Sequence, residues 1–193
     1  MAKAGRSHAR GARQMWILTA LGKDRPGIVA DVTKMLFRLG CNLEDSAMTR
    51  LGGEFTIMLA FSAPGRVSPE QLERAFAPLS RRLTLAVHLK SLTRSEVAAK
   101  TSGTPYLISV YGSDHPGIVY RVSALLAKSG INIIDVSTHR AASQAKAKPL
   151  YLMLLEVELP IGVSVRRVEL QLRSLAKKLG VEVSLRSQES AVL

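Results

Sequence analysis

Two short runs hold the residue types best placed to do chemistry in this 193-residue chain. Asp24-Arg25-Pro26-Gly27-Ile28-Val29 returns as Asp114-His115-Pro116-Gly117-Ile118-Val119. An apolar, β-forming segment precedes each run and a stripe at helical spacing follows, so each run joins a strand to a helix. The chemistry such a turn offers is anion binding. The first N–H groups of a helix lack intrahelical partners, and the helix dipole places positive charge there, which suits a small carboxylate. Gly27 and Gly117 lack a Cβ and let a ligand or another backbone approach. Asp24 and Asp114 can accept hydrogen bonds from the same N–H groups. The same residues would equally make a well-capped turn, and the motif alone leaves both readings open.

Asn42 and Asn132 follow the two helices. A side-chain amide both donates and accepts, which suits a zwitterion, although asparagine also serves as a turn residue bonded to its own backbone. Other candidates carry less. Arg25 and His115 differ between the runs and read as solvated loop side chains. His88 and His139 lack metal-ligand spacing, so no metal or cofactor is expected. Cys41 stands opposite Ile131 and reads as a small apolar residue, not a nucleophile. No nucleophile elbow, P-loop, dinucleotide fingerprint or zinc-protease helix motif occurs, and no catalytic residue is assigned.

The elements that must position these loops come in a duplicate set. From Gly22 to Arg50 the chain matches Gly112 to Arg140 without a gap, with twelve identities in twenty-nine positions, Arg50/Arg140 among them. After Arg50 the offset grows from 90 to 96, so the second copy carries six extra residues within Ala141 to Pro149. That polar, alanine-rich connection should be longer and more mobile than Leu51-Gly52-Gly53. Each copy reads strand, helix, strand, strand, helix, strand. The strands are expected near 16–21, 42–51, 54–62 and 83–89, then 106–111, 131–141, 149–159 and 181–185. Pro26 and Pro116 should sit in the first helical turn, and Gly40 and Gly130 should end that helix in a left-handed conformation. Ile28, Val29, Val32, Leu36 and Leu39 make one apolar stripe, and Ser68-Pro69-Glu70 caps the second helix. Val165, Val168, Leu172, Leu175 and Leu179 form the stripe of its counterpart. The plan is an α+β fold of two ferredoxin-like βαββαβ domains, each a four-stranded antiparallel sheet with two helices on one face. Residues 1–13 read as a basic tail, 14–92 as the first domain, 93–104 as a linker and 105–189 as the second domain.

Composition narrows the function classes. The net charge of +12 is spread along the chain, as a soluble surface is, not gathered in one arm. One cysteine excludes an internal disulfide framework. No apolar run is long enough to span a membrane, and the N-terminus lacks the apolar stretch of a signal peptide, so the expected compartment is the cytoplasm.

Asp-Arg-Pro-Gly-Ile-Val with Gly40-Cys41-Asn42-Leu43, and Asp-His-Pro-Gly-Ile-Val with Gly130-Ile131-Asn132-Ile133, resemble the opening of an ACT domain. Two such domains with little else are similar to the glycine cleavage system transcriptional repressor family, over about residues 14–189. The resemblance implies a non-catalytic regulator that binds a small amino acid, glycine in that family. It also implies side-by-side sheet pairing into a homo-oligomer, and restraint of a separate DNA-binding transcriptional activator. Carried over residue by residue, the ligand-binding positions are Gly22, Asp24, Pro26, Gly27, Ile28 and Asn42, with Gly112, Asp114, Pro116, Gly117, Ile118 and Asn132. The alternative is a direct nucleic-acid binder using the basic surface. Against it, the nine aromatic residues form no stacking cluster.

Overall fold

Residues 13–93, 95–96, 103–141 and 149–188 are described by the computed structural model. The first unit contains β1 (Arg13–Lys23), α1 (Ile28–Arg38), β2 (Asn42–Leu51), β3 (Glu54–Pro64), α2 (Pro69–Leu83) and β4 (Leu85–Leu92). The second contains β5 (Gly103–Ser113), α3 (Ile118–Lys128), β6 (Asn132–Ala141), β7 (Leu150–Pro160), α4 (Val165–Leu179) and β8 (Val181–Ser187). Each unit forms one antiparallel sheet, ordered β2-β3-β1-β4 and β6-β7-β5-β8. Two ferredoxin-like βαββαβ units are the architecture that the duplicated pattern requires. The basic tail through residue 12, most of the linker and residues 142–148 of the longer hairpin lie outside the described residues.

The strands outrun their apolar centres. β1 starts at Arg13 and ends at Lys23 because its ladder with β3 continues from Arg13–Pro64 to Lys23–Glu54. β5 likewise takes in Gly103 and Thr104, which the sequence places in the linker. Burial alternates along the central strands, as it must when helices cover one face. Trp16, Leu18, Ala20, Phe55, Ile57, Leu59 and Phe61 meet Ile28, Val32, Leu36, Leu72 and Phe76 in the first core. Ile108, Val110, Met153, Leu155 and Val157 meet Ile118, Val122, Leu126, Val168 and Leu172 in the second. Each buried valine, leucine, isoleucine, methionine or phenylalanine contributes about 1.5–3 kcal/mol by leaving water.

Where the helices sit on the sheet decides which stripe residues are buried. Val29 is turned outward and is 38% exposed, and its counterpart Val119 is 43% exposed. In α4 the buried row is Val168, Leu172 and Ala176, while Leu175 and Leu179 are half-buried and Val165 faces solvent. An i, i+4 row outweighs the larger leucines because it lies directly over the sheet.

α1 and α3 end as expected. Gly40 and Gly130 have φ of 72° and 67°. Gly40 N–H donates to the Phe37 carbonyl and Cys41 N–H to the Leu36 carbonyl; Gly130 to Ala127 and Ile131 to Leu126 repeat the pair. These are the two bonds of a Schellman stop. A different constraint acts at Gly22 and Gly112, where the next strand crosses close by. A Cβ at Gly22 would stand 2.6 Å from the Thr84 carbonyl oxygen, and one at Gly112 would stand 2.8 Å from a Val181 methyl. Both glycines are therefore packing residues.

Gly22→Ala should lower stability by about 1–3 kcal/mol, the usual cost of forcing extra volume into a filled site. The chain's single tryptophan, Trp16, is buried in the first core, so its fluorescence during urea unfolding reports the change. An unchanged midpoint would show that Thr84 yields without cost.

Candidate functional site

The two strand-to-helix loops differ from the expected capped turn in an informative way. Gly27 and Gly117 are themselves the N-caps of α1 and α3, with φ of 95° and 97°, and neither helix has a side-chain cap. Pro26 and Pro116 consequently lie before the cap, outside the first helical turn. Each unit's second helix provides the contrast. Ser68 caps α2 through a reciprocal bond with Gln71, and Ser164 caps α4 by accepting from the Arg167 N–H. Of α1 to α4, the two that begin at the motif lack a side-chain partner for their leading N–H groups, and the other two have one.

Asp24 and Asp114 do not turn toward the helix. Asp24 accepts from Arg50 Nη1 at 3.3 Å, and Asp114 pairs with Arg140 Nε at 2.9 Å. Their backbone N–H groups donate to the carbonyls of Gly53 and Pro149, 3.0 and 2.9 Å away. The aspartates therefore tie each loop to the hairpin beside it. Arg50 and Arg140 belong to the loop assembly although sequence reasoning did not select them. Their signal was present as an identity between the copies.

Arg25 and His115 also have work to do. Arg25 Nη2 donates to the Arg82 carbonyl at 2.8 Å, and His115 Nε2 lies 2.8 Å from the Leu179 carbonyl. Unlike side chains thus strap each loop to the last turn of the second helix, where free carbonyls favour donors. Arg25 stays exposed, as expected of a loop side chain, while His115 is half-buried against its carbonyl, a departure from the expected solvated side chain. Ile28 and Ile118 are buried in the cores.

Asn42 and Asn132 lie at the far end of each sheet from the loops. Asn42 pairs with Ser62, which pairs with Met15, and Gly22 is seven residues further along β1. At about 3.3 Å per residue the gap is roughly 23 Å. Asn132, Glu158, Pro105 and Gly112 repeat the arrangement. One small amino acid cannot touch the loop and the asparagine of a single unit. Asn42 instead belongs to a polar cluster in which it and the Ser62 hydroxyl donate to Glu44, at 3.1 and 2.7 Å. Arg13 Nε donates to the Ser62 hydroxyl at 2.9 Å and Arg13 Nη2 to the Gly40 carbonyl at 3.1 Å. The bonds from Ser62, and then Asn42, lower the Glu44 carboxyl pKa. Cys41, beside this cluster, is half-buried, and that burial raises its thiol pKa, which fits a packing role.

Electrostatics separate the two loops. The first turn of α1 carries Asp31, which accepts from Arg82 Nη2 at 2.9 Å; the matching residue of α3 is Arg121, and that turn has no acid. Arg121 Nε stands 3.8 Å from where a Cβ of Gly117 would be. Beneath the second loop, Tyr151 replaces Phe55, and its buried hydroxyl has no hydrogen-bond partner among the described residues. Burial, and then the charge of Asp114, raise the phenol's pKa. A shallow cavity of about 350 Å³ opens at the same end of the sheet, lined in part by Tyr111, Gly112 and Glu182. Among the described residues no cluster of three acidic, histidine or cysteine side chains could hold a metal ion. No helix there is long and apolar enough to cross a membrane.

The ACT domain family profile matches residues 14–90 and again 104–186, most of the chain. The chain belongs to the ACT domain family. As a tandem ACT protein it is 29% identical over 171 residues to the glycine cleavage system transcriptional repressor of Escherichia coli K12, covering 88% of this chain and 87% of that one. A UPF0237 protein of Streptococcus mutans is 35% identical over 75 residues, 39% of this chain and 85% of that protein, so it corresponds to one ACT copy. Among solved structures, a protein of unknown function from Galdieria sulphuraria matches with a TM-score of 0.80 at 25% identity, over 92% of this chain and 100% of that one. A protein assigned as a glycine cleavage system transcriptional repressor matches with a TM-score of 0.70 at 21% identity, over 93% and 100%. At that identity the likeness concerns the fold. ACT domains and a repressor relative together support a regulatory role.

An orphaned buried hydroxyl costs about 1–3 kcal/mol relative to a satisfied one. Tyr151→Phe restores the first copy's residue type and should leave stability unchanged or raise it by up to about 1 kcal/mol, measured by urea unfolding followed by circular dichroism. A loss greater than that would mean that the hydroxyl has a partner in solution.

Proposed function

We propose that this protein is a non-catalytic, amino-acid-responsive regulator that senses its ligand at a strand-to-helix loop and acts by contact with another protein. The observation that carries this reading is the uncapped start of α1 and α3 on a positive-φ glycine, set against the serine-capped starts of α2 and α4. A ligand carboxylate would supply the missing acceptor. The second loop is the better seat. In the first, Asp31 already places a negative charge near the helix start; in the second, Arg121 adds a positive one. Asn42 and Asn132 enter the site only if the loop of one domain faces the asparagine end of another. The ligand would then lie between two protomers of a homo-oligomer formed by side-by-side sheets. Similarity to the glycine cleavage system transcriptional repressor of Escherichia coli supports glycine as the ligand and gene regulation as the output. On this reading the output is restraint of a separate DNA-binding activator, and ligand binding favours one of two domain arrangements.

Calorimetry with glycine and the other common amino acids tests the proposal on the whole protein. Arg121→Asp installs the residue that the first copy carries at the matching position, so the variant should fold. It should weaken binding roughly ten- to hundredfold, the loss expected when a charged group loses a charged partner. Asp31→Arg should change affinity little. Gly117→Val should abolish binding, because it strains a backbone held at positive φ and fills the approach. If Arg121→Asp and Gly117→Val both fold and bind as wild type does, the loops are turns and nothing more.

A further inference from the structure

The seam between α3 and α4 forms a trough of about 790 Å³ whose lining carries four cations and no carboxylate: Arg121, Lys128, Arg167 and Lys178. None of the four takes part in an ion pair among the described residues. The two helices run antiparallel, since they follow strands that pair antiparallel. Arg121 and Lys178 therefore stand toward the loop end of the trough, and Lys128 and Arg167 toward the other. Arg121 and Lys128 are seven residues apart on one helix, about 10 Å. Arg167 and Lys178 are eleven apart on the other, about 16 Å. Between the two pairs a narrow apolar floor, with Val168 buried and Leu125 and Leu175 half-buried, is flanked by the polar side chains of Gln171 and Ser174.

The first copy shows that the fold does not require this charge pattern. The counterparts of Arg121 and Arg167 are Asp31 and Gln71. Where the second copy sets Arg121 and Lys178, the first closes its seam with the Asp31–Arg82 ion pair at 2.9 Å. Replacing an attractive pair by two like charges costs the isolated domain stability. An acidic occupant would reverse that cost.

We infer that the α3–α4 trough is a docking site for an amphipathic helix of a partner protein, its apolar face on Leu125, Val168 and Leu175 and its flanking carboxylates on the two cation pairs. A narrow apolar floor edged by polar side chains and bracketed by cations suits a helix with an apolar stripe edged with acids. A nucleic acid fits less well. Its backbone would leave the apolar floor uncovered, and Tyr120 is the only aromatic residue in the lining. The inference rests on the reading of a regulator that acts by protein contact, and its residues Lys128, Arg167 and Lys178 lie outside the proposed amino-acid loop.

Fluorescence anisotropy of the whole protein provides the test. The probe is a labelled synthetic helix of about 18 residues, roughly 27 Å long, with leucines at the stripe positions and glutamates flanking them. The wild type should bind it at physiological ionic strength and should not bind the analogue with lysine in place of each glutamate. K128E/R167E should weaken binding by about tenfold or more, while the charge-matched K34E/R38E in the first copy should stay within about twofold. Should the double variant fail to fold, Arg167→Gln, which restores the first copy's residue type, should still weaken binding by about threefold. Glycine calorimetry on K128E/R167E separates the two readings, since loss of glycine binding alone speaks to the loop and loss of peptide binding alone to the trough. Equal binding of the acidic and basic helices would overturn the inference. So would equal losses in the two copies, or tighter, K128E/R167E-sensitive binding of a DNA duplex of roughly 20 base pairs, which would assign the trough to nucleic acid.

Discussion

Everything in each unit is referred to one turn, the passage from the first strand into the first helix. The chain must reverse from the end of β1 or β5 and lay a helix back across the sheet, and it does so through a glycine at φ near 95°. That conformation is cheap for glycine and strained for residues with a Cβ. It also fixes the rotation of the helix, which decides that Ile28, Val32 and Leu36 meet the sheet while Val29 does not. The turn is held from two sides. A backbone bond and the aspartate–arginine pair tie it to the neighbouring hairpin, and Arg25 or His115 ties it to the second helix. Because those ties use the loop's own side chains, none is left to cap the helix. An uncapped helix start on a well-anchored loop is a binding feature that costs the fold little.

The duplication made most of this legible in the sequence. A single copy of the motif could be a chance turn, but Gly22 to Arg50 recurring at Gly112 to Arg140 fixed the element order, the glycine stops at 40 and 130, and the positions of the loops. What stayed hidden was direction. Asp24 reads equally well as a cap or as an ion-pair partner, and only the strand register, which brings Arg50 opposite Phe55 and therefore near Gly22, decides between them. The same register separates Asn42 from the loop by nearly a sheet's length, although eighteen residues of sequence separate it from Asp24. Gly22 is similar. The family resemblance places it among the ligand-binding positions, whereas the atom that approaches is the carbonyl oxygen of Thr84, the residue between α2 and β4.

The two copies keep one backbone and diverge in charge. Both aspartate–arginine ties, both Schellman stops and the strand irregularity at Leu43/Asp45 and Ile133/Asp135 are shared. Three differences bear on the proposed sites of the second unit: Arg121 for Asp31, Tyr151 for Phe55 and Arg167 for Gln71. None of these is needed to build the fold, since the first copy builds it without them. Arg121 gives up the ion pair that Asp31 makes, and Tyr151 buries a hydroxyl without a partner among the described residues where Phe55 buries only carbon. Features that cost an isolated domain stability and have no counterpart in the first copy are where a function is most economically sought.

Arg121 also joins the two proposed sites. It stands beside Gly117 at the start of α3 and lines the trough along the flank of the same helix. A carboxylate bound at the helix start would neutralise part of the field that an acidic helix meets on entering the trough. Proximity alone does not give regulation, because coupling requires each ligand to alter the other's binding free energy, and by linkage the effect is reciprocal. Here the shared element is a single guanidinium that cannot serve two carboxylates at full strength. If the two ligands act through Arg121, they must therefore oppose each other. Such negative coupling would let a rising amino-acid concentration loosen the partner helix without any change in the fold.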